Sequence, residues 1–364
     1  MTVKATHDFC VLGHNIRITG PADLVDPIAY AYRRFATSSE DRPDTVTISV
    51  TDARVSVEGV VLPTPILGHE GKQLYQEFVQ QTMDRVSEYA VLHGACVVND
   101  QGACLLAAPS GHGKSSLALA LAASGYRLTG DDYAPLDMAK GVVLPFPRAI
   151  AFYPEGKAAV PEAIVRRARS SKHSLFGKQI ADIGELLGED TVVKQPVPLR
   201  TVVLLNDRNA TDQPISVDIG YYGRDALRFE KDLLGVDGIE ITDSVVTATA
   251  GQWTLGLDHR RYPTAALNAL LDRPQVRSEK RVTTRPSFAG DPRLTAIPRR
   301  VAADALCQEI LNRRGSGALL KRYNGSLARL FLDVAGALRD VRCYQLEVGD
   351  FGQTVSTIQT VLRG

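Results

Sequence analysis

The sequence predicts an α/β fold with a strand–turn–helix core, and three observations predict it. An apolar run, Ala103-Cys104-Leu105-Leu106, leads through a glycine-bearing turn into the stretch Leu117-Ala118-Leu119-Ala120-Leu121-Ala122. A second apolar stretch, Tyr126 to Thr129, follows that helix and ends at two adjacent carboxylates, Asp131 and Asp132. The 364 residues are 44% hydrophobic, with 42 basic and 41 acidic side chains, which is enough apolar material for one elaborated α/β domain or two domains.

Residues 1–91 read as an N-terminal α+β layer packed on the core. Cys10–Leu12, Asn15–Ile18, Thr45–Val50 and Val55–Val57 have strand character, and residues 23–36 have helical character. Lys72 to Val91 reads as one longer helix, because Leu74, Phe78, Met83, Val86 and Ala90 suit a single buried face. The core, residues 92–272, opens with two short strands around the polar turn Asn99-Asp100-Gln101-Gly102. A helix from Lys114 to about Ala123 follows, with Gly125 as its C-terminal stop. The strand Tyr126–Thr129 then returns by a right-handed crossover, parallel to the first, so both strand ends open on one crevice. Further on, Pro161–Arg169 and Ile180–Leu187 read as helices and Arg200–Leu205 as a strand.

Residues 273–300 hold eight basic side chains (Arg273, Arg277, Lys280, Arg281, Arg285, Arg293, Arg299, Arg300) against Glu279 and Asp291. Four prolines and no apolar period predict a mobile loop, either a solvated linker or a lid over phosphates or an acidic peptide. Residues 301–364 complete the core with helices at Val301–Arg313, Ala318–Leu338 and Gln353–Leu362 and a strand at Val341–Leu346.

The turn before the helix carries chemistry. In Ala108-Pro109-Ser110-Gly111-His112-Gly113-Lys114-Ser115-Ser116, glycines let successive N–H groups point at one anion, and the helix adds its positive end. Ser110, Gly111, His112, Gly113, Lys114, Ser115 and Ser116 are therefore expected to bind a nucleoside triphosphate, with Lys114 on the outer phosphates and Ser115 on magnesium. Ala108 stands where the usual pattern has its first glycine, so a surface turn is the alternative for the motif alone. Asp131 and Asp132 are expected to face the triphosphate end, one holding magnesium and the other accepting a proton; a plain turn is again the alternative.

His93-Gly94 before a hairpin, Ser110-Gly111-His112-Gly113-Lys114-Ser115, and Asp131-Asp132 on the following strand together resemble the HPr kinase/phosphorylase family, relatives of phosphoenolpyruvate carboxykinase. The likeness covers about residues 92–135, and the rest of the chain looks more like stand-alone HPr kinase-related proteins. The resemblance implies a P-loop kinase core that uses ATP and Mg2+ to phosphorylate a serine hydroxyl of a peptide or protein. A ribosomal natural-product precursor is one acceptor it suggests. It gives Asp131 the role of general base, His93 that of its companion, Lys114 that of neutralising the transferred group, and Ser115 and Asp132 the magnesium side. Arg148, in Pro145-Phe146-Pro147-Arg148, is an additional candidate. A small-molecule hydroxyl kinase and a nucleotide-regulated binding module without transfer are the competing readings. The family leaves room for a homo-oligomer.

A net charge of +1 gives no argument for nucleic acid or a membrane as partner. Five scattered cysteines, Cys10, Cys96, Cys104, Cys307 and Cys343, predict neither a disulfide framework nor a metal cluster. No signal core and no run near 20 apolar residues predict a cytoplasmic protein.

Overall fold

The computed structural model describes residues 3–38, 44–51, 54–62, 70–108, 112–152, 162–169, 171–175, 178–206, 214–247, 250–258, 265–271, 273, 275–282, 288–311 and 317–364. Among them are eleven α-helices and several sheets, a mixed α/β architecture.

The N-terminal layer contains β1 (Lys4–Val11), β2 (His14–Pro21), α1 (Ala22–Ala31), β3 (Val46–Thr51), β4 (Arg54–Val57), β5 (Val60–Val61) and α2 (Glu70–Met83). Its five strands pair in sequence order, parallel only between β2 and β3. In β3, Val46, Ile48 and Val50 are buried while Thr47 and Ser49 are half-buried, the two-residue period of a strand with one covered face. Val25, Ile28, Leu74 and Phe78 of the two helices close that face. The same apolar cluster takes in Tyr133, Phe146, Leu175 and Ile180 from later in the chain, so the layer has no core of its own apart from the rest of the molecule. Helix α2 stops at Met83 rather than Val91. Its end tightens through Arg85 N–H on the Thr82 carbonyl and Val86 N–H on the Met83 carbonyl, and sheet pairing takes over from Ala90.

The main sheet begins with β6 (Ala90–Asn99) and β7 (Gly102–Ala107), the hairpin the sequence predicts. Asn99 Oδ1 accepts the N–H groups of Gln101 (3.0 Å) and Gly102 (3.1 Å), the local bonding by which asparagine builds turns. Helix α3 (Lys114–Ala123) keeps its predicted bounds. It ends with Gly125 N–H on the Ala122 carbonyl and Tyr126 N–H on the Leu121 carbonyl; Gly125 takes φ +99 to allow this. Then come β8 (Arg127–Gly130), β9 (Tyr133–Asp137) and β10 (Val142–Val143). Both β7 and β8 run antiparallel to β6, so they share the predicted direction with β6 between them.

A three-stranded patch follows, made of β11 (Ile150–Phe152), β12 (Ser174–Leu175) and β13 (Lys178–Ala181), with helices α4 (Glu162–Arg169) and α5 (Ile183–Leu187). The helix expected at Ile180 starts only at Ile183, because Asp182 Oδ1 caps it by accepting Gly184 N–H (2.8 Å) and Glu185 N–H (3.3 Å). Strand β14 (Val197–Asn206) then enters the main sheet parallel to β7.

Next is a unit the sequence does not announce: β15 (Pro214–Tyr222), α6 (Ala226–Leu234), β16 (Ile239–Val246), β17 (Ala250–Asp258), α7 (Ala265–Leu271) and β18 (Val276–Val282). Its sheet, ordered β16-β17-β15-β18 and antiparallel throughout, is the split β-α-β arrangement of ferredoxin-like modules. It has its own core of Val217, Ile219, Phe229, Trp253, Leu255 and Leu267. The stretch 273–300, read as a loop, thus supplies β18, paired with β15 from Val276 to Val282, and then β19 (Arg293–Ala296) on the main sheet. Pairing with distant strands orders a segment whose own composition gives no period.

The chain ends with α8 (Arg299–Leu311), α9 (Gly317–Arg322), α10 (Leu327–Ala337), β20 (Arg342–Glu347) and α11 (Phe351–Arg363). The helix expected across 318–338 breaks at Asn324 and Gly325, both at positive φ. The main sheet is ordered β10-β9-β6-β7-β14-β20-β19, with β8 also on β6. One face packs on Ala302, Leu306, Leu330 and Val334 of the C-terminal helices, the other on Leu117, Leu121 and Ile358 of α3 and α11. Strands covered on both faces read as continuous apolar runs, which is why Gly102–Ala107 is buried throughout. No helix among the described residues is long and apolar enough to cross a membrane.

Candidate functional site

Four pieces of chain meet at one end of the main sheet. Strand β6 carries His93, opposite Tyr133 of β9. Helix α3 starts with Lys114 and Ser115 after Gly113, which stands at φ +77. Strand β8 ends at Gly130 and delivers Asp131 and Asp132. The turn Pro145–Arg148 lies against it, with Phe146 N–H on the Thr129 carbonyl at 2.7 Å.

Gly130 makes that last approach possible. A Cβ there would stand 2.5 Å from the Phe146 carbonyl oxygen and 3.1 Å from that of Tyr133. Gly130→Ala is expected to push the Phe146–Arg148 turn outward and destabilise the chain by about 1–3 kcal/mol. Urea unfolding measures this, and an unchanged midpoint would contradict the packing described.

The two aspartates have different neighbours. Asp132 bridges two cationic or polar groups: Oδ1 lies 3.2 Å from His93 Nε2, and Oδ2 lies 2.9 Å from Arg148 Nη2. Arg148 is buried, donates from Nη1 to the Tyr75 hydroxyl (2.5 Å), and sits over the Tyr133 ring, 5.5 Å from its centroid. Burial opposes its charge, but Tyr75, Asp132, Tyr32 and Asp131 outweigh it and hold the guanidinium firmly protonated. Asp131 is 3% exposed, shares a hydrogen bond with Ser115 and feels the Lys114 charge. Its Oδ1 is buried with no hydrogen-bond partner. Burial raises its carboxyl to about 6, Arg148 pulls the other way, and Asp132 adds to the rise. Lys114 is also buried, its Nζ donating to the Ala108 carbonyl at 2.7 Å.

A carboxyl raised in the fold favours the folded state when protonated. Between its ordinary value near 3.9 and about 6 the native chain holds the proton longer than the unfolded one, so stability falls as pH rises through that window. Above it the penalty is complete, on the order of 3 kcal/mol. Asp131→Asn keeps a partner for Ser115 and removes the penalty. Without ligands, its melting temperature is expected to exceed wild type by a margin that grows from pH 4 to pH 7; a margin constant with pH would contradict it.

Of the residues expected to act, His93, Lys114, Ser115, Asp131, Asp132 and Arg148 form this one cluster. His112 is buried, Gly113 caps α3 and Ser116 lies in its first turn. Ser110 and Gly111 lie outside the described residues. Ser115 shares a hydrogen bond with Asp131, while Asp132 pairs with His93 and Arg148. Among the described residues no group of three or more His, Cys, Asp or Glu could hold an ion by itself. Tyr75 joins the site without a sequence signal; nothing in the local sequence of α2 marks it.

No family model matches the chain, and no curated protein matches it. Among solved structures, it has a partial likeness to the HPr(Ser) kinase/phosphatase from Coxiella burnetii, at 22% identity and a TM-score of 0.24. The matched part covers 32% of this chain and 66% of that one, just under two thirds of its length.

Proposed function

We propose that the chain is an ATP-dependent, magnesium-requiring kinase of the HPr kinase/phosphoenolpyruvate carboxykinase type, phosphorylating a serine hydroxyl of a peptide or protein. One observation carries this reading: Lys114 and Ser115 at the head of α3 face one carboxylate, while a second, held between an imidazole and an arginine, stands beside it. The terminal phosphates of ATP lie on the turn before α3, where N–H groups and the helix end attract anions. Lys114 leaves the Ala108 carbonyl to neutralise the transferred group. Ser115 and Asp131 are the residues that would hold magnesium, which would supply positive charge to offset that of the phosphates. The fit rests on the orphaned Asp131 Oδ1, a buried oxygen with an unfilled contact.

An entering hydroxyl meets Asp132 first, because the Asp132 side chain is 30% exposed and Asp131 is 3% exposed. The acceptor O–H bond breaks as its oxygen bonds to the γ-phosphorus. The bond from phosphorus to the bridging oxygen breaks, ADP leaves, and the proton goes to the His93–Asp132 pair. Arg148 fixes the carboxylate for that task. Positioning and charge stabilisation supply most of the rate, as in other phosphoryl transfers.

The test is transfer of label from γ-labelled ATP to serine-containing peptides in the presence of magnesium. Transfer is expected for wild type and lost in Lys114→Ala. ATP binding with no transfer to any peptide or small hydroxyl compound would overturn the kinase reading in favour of a nucleotide-regulated binding module.

A further inference from the structure

The turn before α3 is braced from far away in the chain. A Cβ at Gly113 would stand 2.5 Å from Phe288 Cζ and 3.3 Å from its Cε2, so the ring fills the space where any other residue would put its side chain. Phe288 is itself held. Its ring meets Phe351 edge to face, with centroids 5.1 Å apart and planes at 89°, and it packs on the apolar cluster that contains Ala108, Leu117 and Val348. The backbone after it is pinned too. The Gly290 carbonyl accepts Asp350 N–H at 2.6 Å, and Gly349 has no room for a Cβ because Gly290, Asp291 and Pro292 pass against it. Asp350 in turn caps α11, accepting Gln353 N–H at 3.0 Å. The segment Phe288–Pro292 thus runs between the β20–α11 corner and the turn that starts α3, and then enters the sheet as β19.

We propose that Phe288 is a positioning residue for nucleotide binding: wedged between Phe351 and Gly113, it holds the head of α3, with Lys114 and Ser115, in place. The proposal rests on the reading of the turn before α3 as the phosphate site. Gly113 stands at φ +77 at the head of α3, and the ring packs where a side chain there would project, so it acts on the resting shape of the site; the C-terminal corner anchors the ring. Preorganisation of this kind appears in affinity and leaves the chemical step alone.

The experiment measures dissociation constants for MgATP and for inorganic tripolyphosphate by calorimetry, and KM and kcat for transfer, in wild type, Phe288→Ala and Phe288→Leu. Phe288→Ala is expected to weaken ATP and tripolyphosphate equally, by about tenfold, and to raise KM in step. Its kcat at saturating ATP is expected to stay within about twofold of wild type. Phe288→Leu, which refills most of the volume, is expected to restore most of the affinity; if the alanine variant fails to fold, Phe351→Ala, which frees the ring from its anchor, serves as the test and is expected to weaken both ligands equally, with unchanged affinity overturning the brace. Wild-type affinity for both ligands in both variants would overturn the brace and leave the kinase reading standing. A loss for ATP but not for tripolyphosphate would overturn it in favour of a ring that stacks on the base. No ATP binding by wild type would overturn the kinase reading and the brace with it.

Discussion

Asp132→Asn is expected to lower phosphoryl transfer at saturating ATP and magnesium by about 10²- to 10⁴-fold, the range a positioned general base supplies. Affinity for MgATP should stay near wild type. The reason is geometric. Asp132 lies 3.2 Å from His93 and 2.9 Å from Arg148, on the open side of the pair. An amide there keeps the shape of the carboxylate and cannot take a proton. Asp131→Asn is expected to behave differently, because its partner is the Ser115 hydroxyl. Its transfer rate should depend on metal concentration, recovering in part as magnesium is raised. Rate measurements across a magnesium titration separate the two. A rate loss in Asp131→Asn that magnesium does not relieve, together with recovery of Asp132→Asn by magnesium, would restore the order the sequence motifs imply.

Arg148→Met is expected to carry the largest stability change, a loss of about 3–5 kcal/mol typical of breaking a buried ion pair from one side. Asp131 and Asp132 would then share a partly buried pocket with no guanidinium between them, and the Asp131 carboxyl would rise beyond its present value near 6. Tyr75 would lose the hydrogen bond from Arg148 as well. Two controls make the cause visible. Arg148→Lys should recover little, since one ammonium cannot reach Tyr75 and Asp132 from the position of a planar fork. Asp131→Asn added to Arg148→Met should recover part of the loss, a non-additivity measurable by urea unfolding. Equal losses in the single and double variants would show that like-charge repulsion is not the cause.

The placement of the residues expected to carry chemistry was legible because it is local. Gly113-Lys114-Ser115 opens a helix whose alanine and leucine content fixes its length, and Asp131-Asp132 ends the next strand, so spacing alone brings them to one sheet end. The hairpin at Asn99–Gly102 and the stop at Gly125 were legible for the same reason: each is built from bonds within a few residues. Which aspartate turns inward was not legible. It depends on Gly130 letting the Phe146 turn close in and on Arg148 claiming Asp132, contacts that no spacing encodes. Tyr75 comes from the N-terminal layer and meets Arg148 across 73 positions of chain. The inserted β15–β18 unit escaped notice because its order comes from pairing between distant strands. The basic, proline-bearing stretch after it looked like a loop for that reason, and Phe288, its contact with Gly113, carries no mark in the sequence.

The most direct measurement is a crystal structure of the chain with magnesium and a non-hydrolysable ATP analogue. The account predicts the terminal phosphate on the turn before α3, with Lys114 Nζ in hydrogen-bonding contact, the metal between Ser115 and Asp131, and Asp132 within one bridging water of the γ-phosphorus oxygens. A nucleotide seated elsewhere, or bound on the turn with Asp132 and His93 turned away from it, would contradict the account.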